Sequence, residues 1–392
     1  MTHVVQISFF SDPQRRSAAQ LLNEWPTLVD VAESASKSGS DVSVVQASAR
    51  SEHLERNGVH YHFLPFNDTS SRNAYSSSRN AYSAEYRGLL RSLAPDVYHV
   101  HGLDFPRQVS SLAEMSSGVP IILQDHASRP PRIWRRASVR RGMSVAAGVA
   151  FCSLAQARPF AKAGLIGAST QVYEIPESTS RFAPADRDDA RRATGVEGYP
   201  AVLWVGHLNA NKDPLTVLEG ISASIRELPQ LRFYCCFGNA PLLRAVQNRI
   251  ASDTRLRDRV HLLGRLPHER IELLMRASDI FVLGSHQEGS GYSLIEALAC
   301  GLPPVVTDIP SFRSLTKAGS VGELWPCGDS GALSRALLSI AHRSGSELRA
   351  AVRAHFEREL SSNALGVKLS AMYADILARR QARWTGTQPG GR

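Results

Sequence analysis

Residues 288–304 read EGSGYSLIEALACGLPP. A Gly-Ser-Gly turn runs into an apolar segment with helical spacing, and Glu288 and Glu296 stand on either side of that junction. The first turn of a helix carries unpaired N–H groups and the positive end of the macrodipole, and Gly289 and Gly291 admit a ligand close to the backbone. A phosphate or diphosphate fits such a place, cradled by the amides of Gly289, Ser290, Gly291, Tyr292 and Ser293. A solvated helix cap fits the same residues. Glu296 falls near the second helical turn and Glu288 in the loop before it, so one carboxylate can hold a polyol such as ribose while the other meets a reacting group. Just upstream, residues 278–285, SDIFVLGS, form a short apolar run bounded by turn residues, predicted as a buried strand whose C-terminal end faces this loop. In an open α/β sheet, ligands sit at that end of the strands.

The neighbouring segments repeat the pattern. Residues 201–214, AVLWVGHLNANKDP, predict a strand ending at Gly206, then a polar loop, then a helix opened by Asp213 as cap and Pro214 as first residue. Lys212 then lies where a diphosphate on the later loop can meet it. Residues 231–238 and 260–263 are further strands, the second leading into Gly264, Arg265 and Leu266, and residues 271–277 are a helix. Past residue 308 the chain continues through ELW at 323–325 into helices over 331–342 and 364–377.

The first half shows the same β-α rhythm, which implies a parallel sheet covered by helices. Strands are predicted at 4–10, 42–45, 59–64, 94–102, 119–127, 145–152 and 171–175, and helices at 18–36 and 86–93. The loop at 9–20 carries Arg15 and Arg16 at the sheet's functional edge, as contacts for a substrate or as solvated charges. His99 and His101 alternate onto one face of their strand; lacking a carboxylate or cysteine partner in that pattern, they suit packing or substrate contact better than a metal. Asp125 and His126 reach the same edge, where a histidine can donate a hydrogen bond in either protonation state. Residues 67–83 contain SRNAYS twice, too short a unit for a repeat fold and predicted as a mobile surface loop. Residues 175–184, IPESTSRFAP, read as the hinge between domains spanning 1–178 and 184–360.

Residues 278–308, SDIFVLGSHQEGSGYSLIEALACGLPPVVTD, resemble the donor-binding signature of the retaining glycosyltransferases of family 4, the group 1 glycosyltransferases, with their E-x7-E element and following ALACG-PVV-TD. The resemblance implies an α/β GT-B architecture, two Rossmann-like doubly wound domains facing across a cleft, with the last helix, 363–380, returning to the first domain. It implies transfer of a sugar, with retention and without a metal or other cofactor, from a UDP- or GDP-linked donor to the hydroxyl of an unidentified acceptor. By that resemblance Glu288 contacts the donor sugar, Glu296 the ribose, Lys212 the diphosphate, and residues 264–266 the base through their backbone. His126 matches a histidine that contacts the donor sugar, and His101, Arg15 and Arg16 fall on the acceptor side. The family carries Gly-Arg-Leu where this chain has Gly206, His207 and Leu208, so His207 stands at an arginine position and supplies charge only when protonated. The paired glycines of the family's first loop are absent here, and Glu177, Ser178, Thr179 and Ser180 replace its Asn-Gly-Val-Asp run.

Composition bounds these readings. At 392 residues the chain suits two domains, and its 43% hydrophobic and 21% charged content is that of a globular protein. No apolar run approaches the roughly twenty residues of a membrane span. Five cysteines without paired metal spacing point to reduced thiols and a cytoplasmic setting. The net charge of +9 favours anionic partners, and no nucleic-acid-binding pattern accompanies it. Residues 129–141, RPPRIWRRASVRR, set six arginines around Trp134 and suit either peripheral contact with an anionic membrane, on its inner face, or a solvated basic helix. Two other functions share the scaffold: a sugar-nucleotide epimerase, and a non-catalytic polyanion- or membrane-binding protein with a vestigial donor site.

Overall fold

The computed structural model describes residues 1–12, 14–65, 83–116, 118–126, 129–343 and 345–385. The chain divides into two compact units, Met1–Ser178 with Ser362–Arg392, and Thr179–Ser361. The duplicated SRNAYS segment lies outside the described residues except for its last residue, Ser83, which caps the helix Ala84–Leu93 by accepting from the Tyr86 amide.

The first unit holds an eight-stranded sheet: β1 (His3–Ser8), β2 (Asp41–Ser48), β3 (Glu52–Arg56), β4 (Val59–Pro65), β5 (Val97–His101), β6 (Ile121–Gln124), β7 (Gly148–Phe151) and β8 (Gln171–Glu174), in the order 3-4-2-1-5-6-7-8. All neighbours are parallel except β3 and β4. Successive residues feed opposite faces, so Val4 joins one buried cluster and Val5 and Ile7 the other. The second unit holds β9 (Ala201–Val205), β10 (Arg232–Cys236), β11 (Val260–Gly264), β12 (Ile280–Leu283), β13 (Pro304–Thr307) and β14 (Glu323–Trp325), all parallel, in the order 11-10-9-12-13-14. Each sheet reverses its strand order once beside its first strand, between β1 and β5 and between β9 and β12. Those two switch points are where an open sheet opens a crevice at its C-terminal edge.

The last helix, Ser362–Thr385, belongs to the first unit. Its Leu365, Leu369, Met372, Tyr373 and Ile376 are buried in the same cluster as Val31 and Ala35 of the helix Pro26–Lys37. The two helices approach so closely that a Cβ on Gly366 would stand 2.3 Å from the Ser34 carbonyl oxygen, which leaves room for glycine alone.

Two local expectations are corrected. The single helix expected over 18–36 is two, Ala18–Glu24 and Pro26–Lys37, because Pro26 has no N–H and turns Trp25 out of the helical region. The strand β3 was not anticipated: Asn57 (φ 51°) and Gly58 (φ 74°) form a tight turn with two left-handed residues that folds Glu52–Arg56 back antiparallel on β4.

Candidate functional site

In the second unit the loops leaving β9 and β12 meet at the switch point. After β9 the chain passes Gly206 and His207 to Lys212, and Asp213 then caps the helix Pro214–Ser224 through the Thr216 amide, with Pro214 at its start. After β12 the loop through 284–291 enters the helix Tyr292–Ala299. Hydrogen bonds stitch the two loops together: His286 N donates to Asn211 O at 2.8 Å, Asn211 Nδ2 donates to Gln287 O at 2.9 Å, and His286 Nε2 lies 3.1 Å from Asp213 Oδ2. Across this seam Lys212 Nζ and Glu288 form an ion pair, with side chains only 15% and 13% exposed. An ammonium has three donors, so Lys212 can hold Glu288 and still offer a proton to a phosphate oxygen.

Gly291 makes the helix entry possible. Its φ of 64° is left-handed, and a Cβ there would come within 2.6 Å of the buried Phe312 ring. The following helix opens with no acidic residue in its first turn and no side-chain cap from Gly291. Glu296, one turn further in, is held by His268 Nε2 at 2.5 Å, and this carboxylate holds the His268 pKa above its ordinary value. Phe182 packs against the same imidazole, with ring centroids 4.6 Å apart. The sequence reading missed His268 because it began that helix at residue 271; the helix is His268–Ala277, and Pro267 just before it was the available signal.

At the position where the resembled family carries arginine, His207 Nδ1 accepts from the Asn239 amide at 3.1 Å, which leaves Nε2 as the ring's other hydrogen-bonding atom. Gly264, with φ 69°, has open space where a Cβ would be, Arg265 beside it is exposed and Leu266 is half-buried. The residues at 206–212, 264–266 and 288–296 therefore all sit on the C-terminal edge of one sheet.

In the first unit, His101 at the end of β5 lies at the other switch point. His99 and His101 share a strand face, as their spacing predicted, with ring centroids 4.8 Å apart. A chain of hydrogen bonds runs from Gln6 Oε1 to His101 Nε2 (3.1 Å), from His101 Nδ1 to His126 Nε2 (3.2 Å), and from His126 Nδ1 to the Glu177 carboxylate. Both end groups are oxygens that accept. His101 Nε2–H donates to Gln6 Oε1, which leaves His101 Nδ1 to accept from His126 Nε2–H. Burial keeps His101 well below its ordinary pKa and pulls His99 down to about 3, so those two rings are neutral. Tyr373 of the last helix meets His99 Nδ1 at 2.8 Å. Arg16 pairs with Asp12 at 2.9 Å and with Glu24, and its guanidinium lies over Trp25. Arg15 is exposed, with φ 54°.

The basic stretch forms the helix Ile133–Ser144, at whose start Ile133 and Trp134 are 76% and 72% exposed and Arg132 lies 5.3 Å from the Trp134 ring centre. The five cysteines are free thiols, and burial pushes those of Cys236 and Cys300 up to about 12. Among the described residues, no three His, Cys, Asp or Glu side chains gather as a metal-binding group, and no helix is long and apolar enough to cross a membrane.

Residues 186–355 match the family described as glycosyl transferases group 1. It is 28% identical over 241 residues to the GDP-mannose:cellobiosyl-diphosphopolyprenol alpha-mannosyltransferase of Xanthomonas campestris, a match covering 59% of this chain and 60% of that protein. The chain thus spans about three-fifths of the length of the curated relatives it matches first. Among solved structures it resembles the sucrose-phosphate synthase of Thermosynechococcus elongatus (17% identity, 97% and 100% of the two chains, TM-score 0.71) and Anabaena HepE in complex with UDP (16% identity, 95% and 100%, TM-score 0.69). That likeness identifies the fold as GT-B, built of two Rossmann-like domains.

Proposed function

We propose that this chain is a retaining, metal-independent glycosyltransferase that moves a sugar from a nucleoside-diphosphate donor to an acceptor hydroxyl. The observation that carries the reading is the Lys212–Glu288 pair set against the uncapped helix entry at Gly291, on the switch-point edge of a sheet whose sequence matches the group 1 family. The Anabaena structure with UDP and the mannosyltransferase named for GDP-mannose support a UDP- or GDP-linked donor without choosing between them.

In this reading the donor diphosphate lies over the first turn of Tyr292–Ala299, where the helix dipole and Lys212 oppose the charge that grows as the sugar departs. A lysine about 4 Å from a phosphate, at an effective dielectric near 20, contributes on the order of 4 kcal/mol. His207, at the family's arginine position, adds a hydrogen bond from its ring. Glu288, part-released as Lys212 turns to phosphate, faces the sugar and any positive charge at its anomeric carbon. Glu296, oriented by His268, takes the ribose hydroxyls. His126, beside the Glu177 carboxylate, is the histidine that the family resemblance assigns to the donor sugar. Exposed Ile133 and Trp134 among arginines suit an anionic membrane carrying a lipid-linked acceptor.

Turnover tests this reading. With UDP-glucose or GDP-mannose, chelator and a glycan acceptor, the enzyme should release nucleoside diphosphate and form a product whose anomeric configuration, read by proton NMR, matches the donor. An inverted product or a strict need for added metal would contradict the retaining, metal-independent form, and turnover of donor alone to an epimer would replace the reading altogether.

A further inference from the structure

Lys212 owes its place to the loop that carries it. Asn209 gathers the turn: the Lys212 amide donates to Asn209 O at 3.1 Å and to Asn209 Oδ1 at 3.0 Å, and the Asp213 amide donates to Asn209 O at 3.2 Å. The next residue, Asp213, holds a left-handed backbone, φ 49° and ψ 57°. A residue with a side chain stays in that region only where its surroundings hold it there, and such places cluster at ligand clamps and active sites. Both oxygens of the Asp213 carboxylate share the holding. Oδ1 accepts from the Thr216 amide at 3.3 Å, and Oδ2 meets His286 Nε2 at 3.1 Å.

The second of these bonds comes from the other loop. A carboxylate only accepts, so His286 Nε2 carries a proton and donates it. His286 also donates its main-chain N–H to Asn211 O at 2.8 Å, and Asn211 Nδ2 returns a bond to Gln287 O at 2.9 Å. One residue thus holds both chain neighbours of Lys212, Asn211 by its backbone and Asp213 by its side chain. Two positions before it, at the exit of β12, Gly284 brings the chain flush against the lysine loop: a Cβ there would stand 3.0 Å from Lys212 O and 3.3 Å from Asp213 O. Two positions after it, Glu288 takes the Lys212 ammonium. The His286 side chain is 46% exposed, so it contributes these bonds and not core packing.

A lysine ammonium rides on a flexible four-carbon stem, and its use to a bound phosphate depends on where the backbone starts it. We propose that His286 is a positioning residue for Lys212, clamping the loop at Asn211 and Asp213 so that the ammonium meets the donor diphosphate. The inference rests on the glycosyltransferase reading above and adds to it a residue that acts through Lys212. It is tested by calorimetric titration of UDP and GDP into the full chain, as wild type and with His286→Ala, His286→Gln, Lys212→Ala, and His286→Ala combined with Lys212→Ala. Urea unfolding checks that each variant is folded at the titration temperature. His286→Ala should weaken the nucleotide that wild type binds by about tenfold, within the range of coupling between neighbouring groups. His286→Gln, whose amide N–H can donate to Asp213 as the imidazole does, should recover most of that loss. In the Lys212→Ala background, His286→Ala should change affinity by about twofold at most. Unchanged affinity in His286→Ala, equal losses with and without Lys212, or a His286→Gln chain as weak as His286→Ala would overturn this inference and leave the transferase reading standing. Failure of the wild-type chain to bind either nucleotide would remove both.

Discussion

Gly291 and Gly264 allow a matched experiment. Both are left-handed, with φ of 64° and 69°, and both lie on the same edge of the second unit. They differ in what a methyl group would meet: open space at Gly264, and the ring of fully buried Phe312 at 2.6 Å at Gly291. Gly264→Ala should therefore cost only the backbone term, about 1–2 kcal/mol. Gly291→Ala adds overpacking of about 1–3 kcal/mol, for a total of about 2–5 kcal/mol. The shifted helix entry also displaces the Tyr292–Ala299 amides and Glu296, so nucleotide affinity should fall with stability in this variant, whereas Gly264→Ala keeps most of it. Urea unfolding followed by Trp204 and Trp325, both buried in the second unit, reads the first quantity, and calorimetry the second. In a Phe312→Leu background the excess cost of Gly291→Ala should shrink, as expected for groups in contact. Equal costs at the two glycines would refute the argument that Phe312 sets the shape of the helix entry.

Other expectations follow from single contacts. Tyr373→Phe leaves His99 Nδ1, in a fully buried ring, without its partner, and should destabilise the first unit by about 1–3 kcal/mol on urea unfolding; an unchanged midpoint would dissociate Tyr373 from the histidine chain. Because Glu296 raises the His268 pKa, that pair's contribution to stability is present below the ordinary histidine value and is lost as pH rises through the raised one. NMR titration of the His268 ring should show the elevated midpoint and its return toward the ordinary value in Glu296→Gln; the same midpoint in both proteins would argue against the pairing. Trp134→Ala should reduce sedimentation with anionic phosphatidylglycerol vesicles and leave nucleotide binding intact, and wild-type protein that ignores such vesicles would leave this helix a solvated face.

The sequence was most legible where local chemistry leaves one solution. Asp213-Pro214 announces a helix start, and the apolar run before the Gly-Ser-Gly turn announces a buried strand entering a helix; both stand where their residues predict. The parallel sheets were legible through β-α alternation, but edge strand β3, EHLER, has a single apolar residue, alternates half-buried with exposed positions, and reads as loop. Its signal was the Asn57-Gly58 dipeptide. Helices such as Leu154–Lys162, with Pro159 inside, and Arg187–Thr194, almost wholly polar, escaped because neither shows a clear apolar stripe. Site pairings were harder still. Glu177 and His126 are far apart in sequence, as are His268 and Glu296, and no spacing rule connects residues that meet only when several strands and helices are assembled. His207 is another such case: nothing in its loop announced that the Asn239 amide would donate to its Nδ1.

The central claim is that Lys212 and the helix entry at Gly291 form a nucleoside-diphosphate site. Calorimetric titration of UDP, GDP and ADP into the wild-type chain and into Lys212→Ala, in chelator, tests it most directly. The account predicts that one of the three binds clearly tighter than the others and that Lys212→Ala weakens it by about 100-fold or more, the scale of a lost charge-assisted contact of about 3–4 kcal/mol. Failure of all three to bind, or equal affinity in Lys212→Ala, would contradict it.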